Sequence, residues 1–418
     1  MRENQALKTF DEHYATLNDQ RPIAVLLTPV LPLPGQSGRA LRAWDWLCQL
    51  SIHHRVHVLV ASQDTLPTLP NDYPTEQVWH LATKATTVSR ALGLLFPPLC
   101  LISHSMVPDW RLAANQPALE DYAQNLQAQS VTQIVVFRLY LHDLAQTLID
   151  CCPDAAIELD MDDLESRTRL SVAGSLMRMG RFRSAVRWLG TSVQYALLER
   201  FMKGHYDKIW LATTHDRSSF HTRLGPKVLQ RPNRVMQPHA QKFKHPEDQC
   251  TIRLMFVGTL NYPPNEEAVL ELVDHILPVL RFRMTRPWIL FVIGRHASPR
   301  LVNQLSQIPQ IKFLPDVSEL SAYYSAAHVI VIPLKAGGGT KLKTLEAFAN
   351  KRAVVSTRHG VRGLNAVAGE HYLAAETPAD FANAIVKLAE DVTLTQRIAQ
   401  SGHALWKQGF EAKYRDNF

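Results

Sequence analysis

"VIVIPL", residues 329–334, runs directly into "KAGGGTKLKTLEAFAN", residues 335–350. The first stretch is a short β-branched run closing on a proline, so it reads as a buried strand. Gly337, Gly338 and Gly339 permit positive φ and a close backbone approach to something else. Thr340 is the expected helix N-cap. Lys341 to Lys351 then has helical spacing, with Leu342, Leu345, Phe348 and Ala349 on one side. A strand, glycine loop and helix in this order aim unpaired N–H groups and the positive end of a helix dipole at one point. That arrangement suits an anion such as phosphate. Glu346 lies four after Leu342 and three before Ala349, so it borders the inward stripe. A carboxylate there needs partners, because burying it unpaired is costly. Ligand hydroxyls would supply them; a Glu–Lys pair at a surface loop tip is the plainer alternative.

Outward from this unit the chain alternates strands and helices. "PIAVLLTPVLPLPG", from Pro22, reads as a buried strand leading into a Pro/Gly loop, and helical spacing follows from Arg39 to Leu50. "HRVHVLVAS", "QIVVFR", "AAIELD" and "YDKIWLAT" are further strands with helical segments between them, which predicts a parallel α/β sheet. The alternation then restarts with "TIRLMFVGTL", the amphipathic "NEEAVLELVDHILPVL", "WILFVIGR", "IKFLPDV", "HVIVIPL" and "RAVVST". Two such sets predict two Rossmann-like domains, residues 1–234 and 235–418, with the seam near "LQRPNRVMQP", where Pro232 and Pro238 interrupt periodicity. The tail after Pro378 reads as consecutive helices, the last free to return to the N-terminal domain.

The chain has 418 residues, enough for two cores, and its apolar fraction of 46% is ordinary for a globular protein. A net charge of +7 suits anionic ligands or a membrane surface without establishing nucleic-acid binding, and no nucleic-acid partner is expected. The five cysteines have no zinc-site spacing, and their odd number argues against a disulfide scaffold. A reducing cytoplasm is the simplest expectation. The first twenty residues are polar and lack a signal-peptide core, and "ALGLLFPPLCLISHSM" is too short and too interrupted to span a bilayer.

Several stretches resemble glycosyltransferase family 4, the large retaining group with the GT-B fold. "FVGTLNYPPNEEAV" resembles the opening of that family's C-terminal domain, with Gly258 in its turn. "GGGTKLKTLEAFANKRAVVSTRHGVRGL" resembles its donor-site segment, in the GGGT-type branch. "IELDMDDLESRTR" and "LLTPVLPLPGQSGRALRAWDWLCQL" resemble N-domain segments, the latter including Gly38 and Arg42. The likeness covers roughly residues 20 to 410 and is specific mainly in 255 to 365.

The resemblance implies two Rossmann-like domains facing each other across a cleft, an N-terminal one for the acceptor and a C-terminal one for a nucleotide-sugar donor. It implies that Glu346 holds the ribose hydroxyls of the donor. It also places the amides of Gly339, Thr340 and Lys341 near the phosphates or the sugar, with Gly337, Gly338 and Leu342 in the same donor site. The implied activity is transfer of a hexose to an acceptor hydroxyl with retention, in bacterial cell-surface polysaccharide or glycolipid synthesis. No cofactor, metal or covalent nucleophile is required. The acceptor would be a glycan or lipid-linked.

This chain departs from the family pattern at two places. The position eight before Glu346, often a second glutamate in the family, is Gly338. The Arg and Lys that often follow the C-domain glycine turn correspond to Thr259 and Asn265. The leaving nucleoside diphosphate still needs charge stabilisation. Lys341, Lys343 and Arg295 are the available cations, with Lys341 or Arg295 preferred and Lys343 open to reading as a solvated helix face. Arg295 follows a strand's C-terminal end, where ligands of α/β sheets gather.

Other residues carry alternatives. His104 and His142 stand near where the family uses an N-domain histidine at the donor sugar; each could equally be structural. Gly35, Gly38 and Arg39 form a loop that either faces the donor phosphates or is a plain strand-to-helix turn. Asp160 and Asp162 make a D-x-D that could bind metal in the other major glycosyltransferase fold; Asp163 and Glu165 could instead cap a helix. "SLMRMGRFRSAVRWLGTSVQYALLERF", 175–201, reads either as one basic amphipathic helix for the inner face of a membrane or as an ordinary domain helix. The rival functions are a nucleotide-sugar-binding protein or scaffold without turnover, and a dinucleotide oxidoreductase. The second is disfavoured because "PLPGQSGRA" lacks G-x-G-x-x-G.

Overall fold

The structure, a computed structural model, describes residues 20–34, 37–62, 65–69, 72–84, 113–114, 116–127, 129–217, 227–236, 250–317 and 319–412. The chain divides into two compact units. The first holds the described parts of 1–169 and 187–231; the second holds 170–186 and the described parts of 232–413.

In the first unit the described strands are β1 (Ile23–Thr28), β2 (Arg55–Ser62), β3 (Gln77–Lys84), β4 (Ala113–Ala114), β5 (Val131–Phe137), β6 (Ala156–Asp162), β7 (Lys208–Leu211) and β8 (Val228–Gln230). They form one sheet in the order β4-β3-β2-β1-β5-β6-β7-β8. Every pairing is parallel except β3 with β4. β1 is buried throughout, and apolar from Ile23 to Leu27, because both its faces are covered. Ile23, Val25 and Leu27 join one core with Leu119, Tyr122 and Leu148, while Ala24 and Leu26 join another with Trp46 and Leu47. The helices are α1 (Gly38–Leu50), α2 (Gln116–Gln127), α3 (His142–Cys151), α4 (Glu165–Arg178) and α5 (Phe182–Phe201).

The second unit has a parallel sheet of β10 (Ile252–Val257), β11 (Trp288–Gly294), β12 (Ile311–Pro315), β13 (Val329–Ile332), β14 (Ala353–Ser356) and β15 (Leu373–Ala374), in the order β12-β11-β10-β13-β14-β15. A separate parallel pair joins β9 (Val235–Met236) to β16 (Glu411–Ala412). The chain moves outward from β10 through β11 to β12, then jumps back to β13 on the other side of β10. The carboxyl ends of β10 and β13 therefore flank the switch point of the sheet, where open α/β folds bind ligands.

The helices of this unit are α6 (Pro263–Glu271), α7 (Leu277–Arg283), α8 (Pro299–Ser306), α9 (Ser321–Ala326), α10 (Leu342–Ala349), α11 (Pro378–Glu390) and α12 (Val392–Gly409). A π-helical turn, Leu272–Ile276, joins α6 to α7. Pro278 has no amide for the carbonyl of Asp274, which accounts for the irregularity. Leu345 and Phe348 of α10 are fully buried in one core with Leu254, Ile330 and Trp406. Burial of each contributes about 1.5–3 kcal/mol. α12 buries Leu394, Ile398 and Trp406 in this same core, so it packs within the second unit.

Residues 175–201 are not one helix. The chain turns at Gly180, with φ +72°, between α4 and α5. The hairpin end, 170–186, groups with the second unit, although it stands in the N-terminal half of the sequence. Arg178 pairs with Glu267, its Nη2 donating to Oε2 at 3.0 Å, and Arg181 grips Glu266 through two bonds of 2.5 and 2.6 Å. Two of the arginines that read as a basic face are thus ion-paired. Arg183 and Arg187 remain exposed beside exposed Phe182 and Val186. No described helix is long and apolar enough to cross a membrane.

Candidate nucleotide site in the second unit

The loop after β13 is organised around its own lysine. Lys341 Nζ donates to the carbonyls of Gly337, Gly338 and Gly339 at 2.9, 2.8 and 3.3 Å. An ammonium has three donors, and three successive carbonyls occupy them. The loop bends this tightly because Gly337 and Gly339 hold φ of +108° and +60°. With the carbonyls turned onto Lys341, the amides of Gly338, Gly339 and Thr340 donate to no acceptor among the described residues. The Thr340 hydroxyl oxygen is buried and also has no partner among the described residues. Lys341, rather than Thr340, is the N-cap residue of α10, and no side chain caps it. Unbonded amides at a helix start form an anion-binding surface.

Around the loop, further groups fix Gly337. Its amide donates to Ser171 Oγ at 3.0 Å, and its carbonyl also meets His359 Nε2 at 3.0 Å and Arg362 Nη2 at 3.2 Å. Burial, with Lys341 and Arg362 nearby, pushes His359 down to about 3. The ring is therefore neutral, and its Nε2 must carry the proton to face a carbonyl.

Glu346 is half-buried on α10. Tyr324 of α9 donates its hydroxyl to Glu346 Oε2 at 3.0 Å, and Oε1 accepts nothing from the described residues. Burial raises the carboxyl above its usual range, while the Tyr324 bond and Lys343 act the other way. Oε1 is thus left without a donor among the described residues.

Lys343 is also half-buried. Its ammonium donates to Asn265 Oδ1 at 2.6 Å and stands 4.4 Å from the centre of the Phe256 ring. Asn265 in turn donates to the carbonyl of Thr259 at 2.9 Å, tying α6 to the turn after β10. A side chain on Gly258 would come within 2.9 Å of Asn265 and 3.0 Å of Lys343 Nζ, so both side chains would have to shift from their present contact. Burial lowers Lys343 to about 7, with Lys341 adding to the effect and Glu346 opposing it.

The remaining sequence candidates are placed as follows. Arg295 is exposed just beyond β11, and its carbonyl accepts from Leu260. His142 opens α3 in the first unit, buried with Nδ1 2.7 Å from the Tyr206 hydroxyl. Gly38 begins α1, whose N-cap is Ser37, and Arg39 is exposed. Gly35 and His104 lie outside the described residues. Asp160 is gripped by Arg42 through bonds of 2.8 and 2.9 Å and by the Trp46 ring N–H. Asp162 stands 3.7 Å from Arg42 and 3.3 Å from Arg138. The D-x-D carboxylates are thus already ion-paired, and the described residues hold no His/Cys/Asp/Glu cluster of metal-ligand type. Tyr324, Ser171 and His359 were not singled out from sequence. For Lys343 a signal existed: it stands three before Glu346, on an adjacent strip of the same helix.

The whole architecture is shared with solved structures. Sucrose-phosphate synthase from Thermosynechococcus elongatus matches with a TM-score of 0.64 at 13% identity, over 94% of this chain and 95% of that one. Anabaena HepE, in complex with UDP and glucose, matches at 0.61 and 13% over 93% and 96%. A UDP-forming α,α-trehalose-phosphate synthase from Burkholderia vietnamiensis matches at 0.60 and 14% over 93% and 96%. At such identities the likeness shows the fold, which is GT-B, built of two parallel-sheet α/β domains. Residues 251–391, which include the site above, match the family profile described as glycosyl transferases group 1. The chain is also 26% identical over 188 residues to an uncharacterized 44.6 kDa protein in the cps region of Klebsiella pneumoniae. That match covers 43% of this chain and 47% of the relative, so it spans about half the length of the curated protein.

Proposed function

We propose that the protein is a retaining glycosyltransferase that moves a hexose from a nucleoside diphosphate sugar to an acceptor hydroxyl, in bacterial cell-surface polysaccharide or glycolipid synthesis. The observation that carries this is the glycine loop, with its carbonyls drawn onto Lys341 and the amides of residues 338–340 left unbonded beside Glu346. The amides would receive the diphosphate and Glu346 the ribose hydroxyls. The group 1 profile over residues 251–391 supports the donor side, and the cps-region relative supports the biosynthetic setting. HepE, similar in fold, is described with UDP and glucose, so UDP-sugars are the first donors to try.

On this reading the donor phosphate takes the proton of the acceptor hydroxyl on the same face of the sugar, and preorganised N–H groups stabilise the leaving diphosphate. No metal or cofactor takes part, so turnover should be unchanged by EDTA. The acceptor is a glycan or lipid-linked, met at the cytoplasmic face of a membrane, with exposed Phe182, Val186, Arg183 and Arg187 available for contact there.

Calorimetry against UDP-, GDP-, ADP- and dTDP-sugars tests the reading. One nucleotide should bind, and Glu346→Ala should weaken it about 10- to 100-fold, the effect of losing charge-assisted hydrogen bonds. Failure of every donor to bind would sink the proposal. Binding without turnover across a broad acceptor screen would favour a nucleotide-sugar-binding scaffold instead, a reading prompted by the uncharged Thr259 after β10 and Asn265 on α6.

A further inference from the structure

We propose that Lys343, set in place by Asn265, is the cation that holds the diphosphate of the bound nucleotide and neutralises it as it leaves. The inference rests on the nucleotide-sugar reading of the site and names the residue that reading lacks. The segment from Gly258 to Asn265, which follows β10 at the switch point, contains no lysine or arginine. A charge there must come from another element. α10 supplies one, because Lys343 reaches the turn after β10 and binds Asn265 Oδ1 at 2.6 Å. Gly258 leaves room for the ammonium against the turn, where any Cβ would crowd it to 3.0 Å.

Three other cations near the loop already bond protein acceptors. Lys341 gives its donors to the carbonyls of Gly337, Gly338 and Gly339. Arg362 is directed at the Gly337 carbonyl. Lys335 is paired with Glu271 at 2.9 Å, and Arg295, whose carbonyl accepts from Leu260 of the turn, is exposed to solvent where Lys343 is half-buried. Lys343 has one protein acceptor and an aromatic face, which leaves two ammonium donors for a ligand.

The groups facing it are Glu346 and Lys341 from its own segment, Asn265 from α6 and Phe256 from β10. A half-buried ammonium so poorly compensated is unfavourable until an anion arrives. Its lowered pKa, about 7, agrees with that. In the transfer, the sugar C1–O bond breaks with its electron pair going to the β-phosphate oxygen, the acceptor oxygen bonds C1, and the acceptor proton passes to the phosphate. Lys343 donates hydrogen bonds to that phosphate throughout and is not consumed.

The test is calorimetry of UDP, GDP, ADP and dTDP, and of the matching nucleoside monophosphates, from pH 6.5 to 9. In the wild type, diphosphate binding should weaken above about pH 7, because the free ammonium then loses its proton before the ligand binds. Lys343→Met should weaken the diphosphate about 10- to 100-fold, change the monophosphate by less than about threefold, and abolish the pH slope. Asn265→Ala should move the slope to lower pH, since the amide oxygen stabilises the charged form. A flat wild-type pH profile overturns the proposal even if the Lys343 variant does not fold. Equal losses for mono- and diphosphate, or none for either, also overturn it. If the wild type binds no nucleotide at all, the nucleotide-sugar reading itself fails, an outcome distinct from the others.

Discussion

Lys343 and Glu346 stand on adjacent strips of α10, each half-buried and each with one hydrogen-bonding protein partner. Their pKa values move in the directions that burial of a base and an acid demands. For Lys343 the sign of the consequence is definite. Its pKa falls from 10.5 in the free residue to about 7 in the fold. Between those values the unfolded chain binds more protons than the folded one, so stability rises with pH. The contribution is fully present above about pH 10.5 and is lost as pH falls through about 7. Urea unfolding at pH 7 and pH 9.5 should therefore differ less in Lys343→Met than in the wild type. The variant should also be the more stable protein at pH 7. A site that is destabilising until occupied is a common trade between stability and binding.

The α4–α5 hairpin braces the loop from outside its own segment. Ser171 takes the Gly337 amide, while Arg178 and Arg181 tie the hairpin to Glu267 and Glu266 on α6. The two glutamates are nearly buried, at 9% side-chain exposure, whereas the arginines are almost half exposed. Solvent screening weakens the ion pairs accordingly. Replacing both arginines with alanine should destabilise the second unit by about 1–2 kcal/mol, with bare carboxylates contributing much of the loss. The difference between variant and wild type should shrink as salt rises from 0.05 to about 0.5 M. A double variant that melts like the wild type would show that the pairs do not hold the hairpin.

Across the whole molecule, two mainly parallel sheets have separate cores, and the candidate site in the second unit is assembled from segments far apart in sequence. Nucleotide binding should therefore leave a discontinuous footprint in hydrogen exchange. Addition of the nucleotide that binds should slow exchange most in peptides covering 256–266, 335–347 and 170–182. The first two flank the switch point, and the third contains Ser171, the acceptor of the Gly337 amide. Protection spread evenly along the chain would mean that ligand stabilises the molecule globally without occupying this loop.

Strand β13, the glycine loop and the helix carrying Glu346 were legible because each depends on neighbours in sequence. Side-chain periodicity, backbone permissiveness and dipole direction all operate within a few residues. The two α/β sets were legible for the same reason. The N-cap shifted from Thr340 to Lys341 because the lysine folds back onto its own loop, a closure that periodicity does not encode. Residues 175–201 looked like one basic helix because charge pattern shows sign and not partner; Glu266 and Glu267 lie more than eighty residues away in sequence. Lys343 is the same case: its acceptor, Asn265, is 78 positions distant. The sequence by itself determined the α/β alternation of both sets and the strand, glycine loop and helix at residues 329–350. Tertiary structure decided which charges are spent on holding the fold and which are left for a ligand, because burial and ion pairing depend on distances between segments that the chain brings together only when folded.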